Sequence, residues 1–86
     1  MQGGETGRIK DVYSAKYLQL GLKIAYYRKL RGLTQEELAE RVDCTPAFIG
    51  HVEAPNICKA VSLDTLFAIA DELDVPAYRF LRFDEE

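Results

Sequence analysis

The strongest constraint on the fold of this chain is a pair of helix starts separated by a short turn. Thr34 is expected to be an N-cap, and Glu37 three residues later completes a capping box. Thr45 is a second N-cap, followed by Pro46, whose missing N–H costs nothing at the first position of a helix. Residues 33–53 are therefore predicted to form two short helices joined by a tight turn, which is a helix-turn-helix.

Apolar residues at helical spacing predict further helices on both sides of this motif. The preceding helix ends near Gly32, which stands where a C-terminal cap is expected. Ser62 caps the following helix, and Pro76 opens a last short helix over residues 77–81. The apolar faces consist of Leu20, Ile24, Tyr27 and Leu30 before the motif and of Leu63, Leu66, Phe67, Ala70 and Leu73 after it. No strand pattern competes, so we expect a compact all-α domain of five helices.

Length and composition limit the chain to one small domain. Its 86 residues, 48% of them hydrophobic, suffice for a single core. Residues 1–16 are expected to be a flexible N-terminal segment, residues 17–83 the domain and residues 84–86 an acidic tail. No apolar run approaches the roughly 20 residues of a membrane span, and no signal-peptide pattern opens the chain. We therefore expect a cytoplasmic protein without a membrane partner.

Few side chains of this sequence are suited to catalysis. The chain has a single histidine, and its two cysteines, Cys44 and Cys58, lack the spacing of metal ligands. Buried free thiols in a cytosolic protein are the first interpretation of these cysteines, and a disulfide or redox role is the second. With no catalytic triad, metal-ligand set or phosphate-binding loop, we expect no enzymatic activity, no metal and no cofactor.

The net charge of −3 is unevenly distributed along the chain. Residues 1–31 hold seven Lys and Arg against two acidic residues, whereas residues 62–86 hold two against seven. A basic front and an acidic rear could orient the domain on a polyanion, although the acidic rear weakens the overall attraction. Ordinary solvated helix faces are the alternative interpretation.

The run Arg-x-x-x-Gly-Leu-Thr-Gln-Glu-Glu-Leu-Ala at residues 28–39 is highly specific. Together with Leu20-Gly21-Leu22-Lys23-Ile24, Ile49, Val52-Glu53 and Ser62-Leu63-Asp64-Thr65-Leu66, it resembles the Cro/C1-type helix-turn-helix family, also called the XRE or phage-repressor-like family. The resemblance covers residues 20–81. It implies a phage-repressor-like fold with the motif at the second and third helices, and a structural ion pair between Arg28 and Glu53.

The resemblance also implies a small transcriptional regulator, a repressor, that binds double-stranded DNA as a homodimer. Its third helix, about residues 45–53, would be the recognition helix in the major groove. By family position Gln35 would contact a phosphate, the groove-facing residues would be Thr45, Pro46, Ala47, Gly50 and His51, and Lys59 would follow in the loop. Lys23, Arg28 and Lys29 are further candidate cations for the DNA backbone. Phe48 is either core or partly exposed toward DNA or a partner.

The sequence departs from the family at the positions that usually read bases. Pro46, Ala47 and Gly50 have no side-chain group for the bidentate contacts that discriminate guanine or adenine. A second departure is Ala54-Pro55-Asn56-Ile57, which stands where the family usually has a glycine that closes the helix. We therefore expect modest base specificity, with most contacts to the DNA backbone.

Two questions stay open at this point. One alternative function is a protein-interaction module, an antitoxin or adaptor, that keeps the helix-turn-helix scaffold and binds a protein partner. The other question concerns the apolar residues at both ends of the domain, which form either a homodimer surface or internal packing: residues 12–18 and Tyr78, Phe80, Leu81 and Phe83.

Overall fold

The computed structural model describes residues 11–83, and the regular structure within this range is entirely helical. Its elements are α1 (Asp11–Leu30), α2 (Gln35–Arg41), α3 (Pro46–Glu53), α4 (Leu63–Leu73) and a 3-10 helix (Ala77–Leu81). The all-α prediction is confirmed. The fifth predicted helix is present as a single 3-10 element, so the described domain has four α-helices rather than five.

The first helix begins earlier than the sequence suggested. α1 starts at Asp11, so residues 11–16, which were expected to belong to a flexible segment, form its first turns. The segment 12–18 lies in α1, where Tyr17 packs against the core and Val12 and Tyr13 are exposed. Residues 1–10 of the expected flexible segment and the acidic tail 84–86 lie outside the described residues.

The predicted helix starts are confirmed by their hydrogen bonds. The Glu37 N–H donates to Thr34 Oγ1 at 3.0 Å, and the Thr34 N–H donates to Glu37 Oε1 at 2.8 Å, which completes the capping box. Thr45 Oγ1 accepts the Phe48 N–H at 3.0 Å, and Ser62 Oγ accepts the Thr65 N–H at 3.1 Å. Each cap satisfies a backbone donor that the first turn of a helix leaves free.

Three helices end on a residue in the left-handed backbone region. Gly32 after α1 has φ 76°, as expected for a glycine cap. Asp43 after α2 and Asp74 after α4 have φ 58° and 57°. Aspartate adopts this conformation far less readily than glycine, so these two helix ends are not predictable from the residue type.

The core lies where all four α-helices and the 3-10 helix meet. The largest fully buried side chains are Phe80, Ile24, Leu38, Ile49, Leu66, Ile69 and Leu73. Leu30, Leu63 and Phe67 were assigned to apolar faces but are exposed. The buried face of α4 consists of Leu66, Ile69, Ala70 and Leu73. Phe67 is exposed because it lies about 100° around the helix from Leu66, outside this face.

A candidate nucleic-acid interface on the third helix

One face of α3 remains exposed after the helix has packed into the core. Ile49, Val52 and Glu53 are buried. The opposite side consists of four residues, which we call the exposed arc of α3: Pro46, Ala47 and His51, which are exposed, and Gly50, which is half-buried. Thr45 stands at the N-terminal end of the arc. The structure thus brings all five groove-facing residues of the sequence analysis onto one continuous surface.

A buried ion pair fixes the C-terminal end of α3. Arg28 Nε donates to Glu53 Oε2 at 2.7 Å, and Arg28 Nη2 donates to Glu53 Oε1 at 2.8 Å. The side chains are 9% and 4% exposed, and Arg28 Nη1 also donates to the Leu33 carbonyl oxygen. A bidentate contact of this kind sets orientation as well as distance, so it locks α3 against α1. Arg28 is therefore occupied and cannot serve as a cation for the DNA backbone.

Gln35 lies along one edge of the exposed arc. Its Nε2 donates to Glu53 Oε1 at 2.9 Å, so the first residue of α2 is joined to the buried ion pair. A Cβ atom added at Gly50 would be 3.6 Å from Gln35 Oε1, which places that amide beside the arc. Gln35 is predicted to contact a phosphate by its family position. Its bond to Glu53 is not predictable from the sequence, because the two residues are far apart in the chain.

Lys59 lies along the other edge. Its Nζ is 5.8 Å from the centre of the Phe48 ring, within the range of a cation–π contact. Phe48 combines the two alternatives, because it packs against the core and is also partly exposed. Around the helix axis Phe48 falls between His51, on the arc, and Val52, in the core. The arc is thus flanked by an amide on one side and by an ammonium group on the other.

The loop between α3 and α4 begins with a turn although it lacks a closing glycine. Ala54 is extended, with φ −69° and ψ 131°, and a turn at Pro55-Asn56 reverses the chain. Cys58 Sγ then donates to the Ser14 carbonyl oxygen of α1 at 3.7 Å. This contact holds the residue next to Lys59 against the first helix.

The two cysteines are free and half-buried. Burial, and to a lesser degree the negative charge of Asp43, raises the pKa of the Cys44 thiol above its ordinary value. Within residues 11–83, no three His, Cys, Asp or Glu side chains come together in a way that could hold a metal ion. None of the helices in this range is long and apolar enough to span a membrane.

An apolar groove of about 400 Å³ lies away from α3, between the N-terminal half of α1, the start of α4 and the C-terminal residues. Its lining consists of Tyr13, Lys16, Tyr17, Leu20, Val61, Leu63, Leu66, Leu81 and Phe83. Lys16 Nζ stands 5.8 Å from the centre of the Phe83 ring. The groove therefore joins apolar residues from both ends of the domain into one surface.

The fold and the exposed arc define a helix-turn-helix protein of the DNA-binding class. The helix-turn-helix family pattern matches residues 24–80. The chain belongs to this family, in its Cro/C1-type or XRE branch. A search of curated proteins gives no match.

Solved structures of regulators share this fold. The restriction-modification controller protein C.AhdI from Aeromonas hydrophila is 27% identical, with a TM-score of 0.70, over 77% of this chain and 97% of its own. The clp gene regulator ClgR from Corynebacterium glutamicum is 26% identical, with a TM-score of 0.71, over 77% of this chain and 68% of its own. SinR, a master regulator for biofilm formation, was solved in complex with DNA; it is 29% identical, with a TM-score of 0.66, over 72% and 97% of the two chains. SinR was also solved in a complex with the SinI protein.

Proposed function

We propose that this protein is a small transcriptional repressor without enzymatic activity that inserts the exposed arc of α3 into the major groove of double-stranded DNA. The observation that supports this most directly is the position of the arc between Gln35 and Lys59. A helix in the major groove has a phosphate backbone on either side, and these two side chains flank it in the same way. A cytoplasmic location fits this role and the two free thiols.

Base specificity is expected to be modest. Each good bidentate contact contributes roughly 1–3 kcal/mol of discrimination against a wrong base. Pro46, Ala47 and Gly50 offer none, which leaves the Thr45 hydroxyl and the His51 ring as the polar groups of this surface. Backbone contacts and the sequence-dependent shape of DNA would supply the remaining selectivity.

A homodimer is part of this proposal. The groove between α1, α4 and the C-terminal residues exposes Tyr13, Leu63 and Leu81 next to one another, and a second copy of the chain would cover them. Two copies related by a two-fold axis would contact half-sites about 34–36 Å apart. Sedimentation equilibrium with Leu63→Asp and Leu81→Asp variants tests this, because a charge in a dimer interface should yield monomers.

The decisive experiment is a DNA titration at two salt concentrations. The protein is mixed with the DNA upstream of its own gene and with a scrambled duplex of equal length. We expect binding to both, a steep loss of affinity with salt and a modest preference for the upstream DNA. Nanomolar, salt-insensitive discrimination would contradict the proposed backbone-dominated mode.

The second candidate function is a protein-interaction module, an antitoxin or adaptor. The shortage of base-reading side chains on the exposed arc favours it, as does the apolar groove. In that case the protein would bind neither duplex even at low salt. A partner would then be expected to protect Tyr13 and Leu81 rather than His51, which amide exchange or footprinting can measure.

A further inference from the structure

We infer that Phe48 is a positioning residue that holds the Lys59 ammonium group at the edge of the exposed arc, ready to meet a DNA phosphate. The inference rests on the proposed DNA-binding function. It assigns a role to an aromatic side chain that the resemblance to the family left open between core and surface.

The first support is the position of the Phe48 ring. The ring is anchored because its inner side packs against the core, and the Lys59 Nζ lies 5.8 Å from its centre. A lysine side chain has four flexible carbons and retains much conformational freedom when exposed. A fixed aromatic face next to the ammonium group limits that freedom before DNA arrives, so less entropy is lost on binding.

The second support is the anchoring of the loop at the preceding residue. Cys58 is tied to the Ser14 carbonyl oxygen of α1, and Lys59 reaches across to Phe48 of α3. The side chains of two neighbouring loop residues therefore contact two different helices, Cys58 contacting α1 and Lys59 contacting α3. This arrangement keeps the cation beside α3.

The contact itself is tested on the free protein by NMR. Protons of the Lys59 side-chain methylenes near the face of the Phe48 ring should be shifted upfield of their random-coil positions. The shift should vanish in Phe48→Leu, which keeps an apolar side chain, and persist in Phe48→Tyr. If the Lys59 methylene protons of the wild-type protein have random-coil chemical shifts, the inference is overturned, whether or not any variant folds.

The role in binding is tested by salt titration with one nonspecific duplex. Lys59→Gln should lower the magnitude of the slope of log K against log salt by about 0.9, the value for one phosphate contact. Phe48→Leu should lower the affinity for the duplex by about two- to fivefold, and Phe48→Tyr should keep the wild-type affinity. The double variant Phe48→Leu/Lys59→Gln should bind no more weakly than Lys59→Gln alone.

Two outcomes would overturn the inference while leaving the proposed function in place. One is wild-type affinity and slope in a folded Phe48→Leu variant. The other is an additive loss in the double variant, since that would mean that Phe48 contacts DNA directly. Absence of binding by the wild-type protein at low salt, with the NMR shifts present, would instead overturn the proposed function and with it the role of Lys59.

Discussion

Gly21 of α1 and Val52 of α3 are in direct backbone contact. A Cβ atom at Gly21 would overlap the Val52 carbonyl oxygen and lie 3.0 Å from its carbonyl carbon. No side chain other than hydrogen fits between the two helices at this point. The crossing therefore brings α3 close enough to α1 for Glu53, the next residue, to reach Arg28.

Gly21→Ala should consequently destabilise the domain by about 2–3 kcal/mol, because the helices must move apart. Gly50→Ala is the matched control, since it introduces the same atom into a helix where the nearest group, Gln35 Oε1, is at an ordinary 3.6 Å. At position 50, alanine has a higher helix propensity than glycine and should stabilise the domain by up to about 1 kcal/mol. Urea unfolding measures both variants; equal effects would contradict the close crossing.

Glu53→Gln should cost about 3–5 kcal/mol, because it leaves the Arg28 charge buried without its counter-charge. The pair is almost fully shielded from solvent, so little screening reduces this effect. Glu40→Gln on the exposed side of α2 is the control and should stay within about 0.5 kcal/mol of the wild type. A Glu53→Gln variant with a wild-type unfolding curve would show that the pair does not hold α3 in place.

Asp74→Gly should stabilise the domain by up to about 1 kcal/mol, because glycine adopts the left-handed backbone at the end of α4 without strain. Gly32→Ala should have the opposite effect, since the same backbone region is then forced on alanine. Asp74→Asn removes the negative charge from the C-terminal end of the helix and keeps a side chain. Comparing the three melting temperatures separates backbone strain from charge.

Gly50→Arg should increase base specificity. A Cβ atom at this position meets only Gln35 Oε1, at an ordinary 3.6 Å, and an arginine there would present the fork that binds the guanine edge. Binding-site selection from a random duplex library should then show a new preference for guanine at one position, by about 1–3 kcal/mol. Gly50→Ala supplies the matched control without the donor groups. Identical selected sequences for both variants would argue against placing the arc in the groove.

Cys44 should be alkylated slowly at pH 8 in a Cys58→Ala background. Its raised pKa means that less of the thiol is the reactive thiolate at that pH than in the unfolded chain. Asp43→Asn removes the smaller contribution and should increase the rate. The unfolded thiol has the lower pKa. The contribution of this thiol to the free energy of unfolding is therefore fully present below the unfolded pKa and is lost as the pH rises through the folded pKa. Equal alkylation rates for the folded protein and for the protein unfolded in urea would contradict the raised pKa of Cys44.

The parts of the fold that depend on neighbours in sequence could be predicted. The caps at Thr34, Thr45 and Ser62 each involve a side chain and a backbone group three residues apart, so the local pattern was sufficient. The caps at Asp43 and Asp74 are equally local but were missed, because aspartate is a weak signal for a left-handed backbone. The start of α1 was not predictable in the same way, and residues 11–16 were expected to be flexible although they form its first turns.

The candidate site depends on contacts between distant parts of the chain. The bonds of Gln35 to Glu53 and of Cys58 to Ser14 link residues whose types give no hint of a partner. The pairing of Arg28 with Glu53 could be anticipated from the family resemblance, not from spacing. The sequence therefore indicated which residues face outward on α3, and the structure was needed to place Gln35 and Lys59 on either side of them.

The third helix is attached to the rest of the domain near its C-terminal end, where Val52 meets Gly21 and Glu53 meets Arg28. Its first turn contributes exposed side chains at Pro46 and Ala47, on which the core does not depend. Substitutions at these two positions leave the buried contacts of α3 in place. Under the proposed DNA-binding mode, the groups presented to the bases can therefore be exchanged separately from the contacts that fix the helix in the domain.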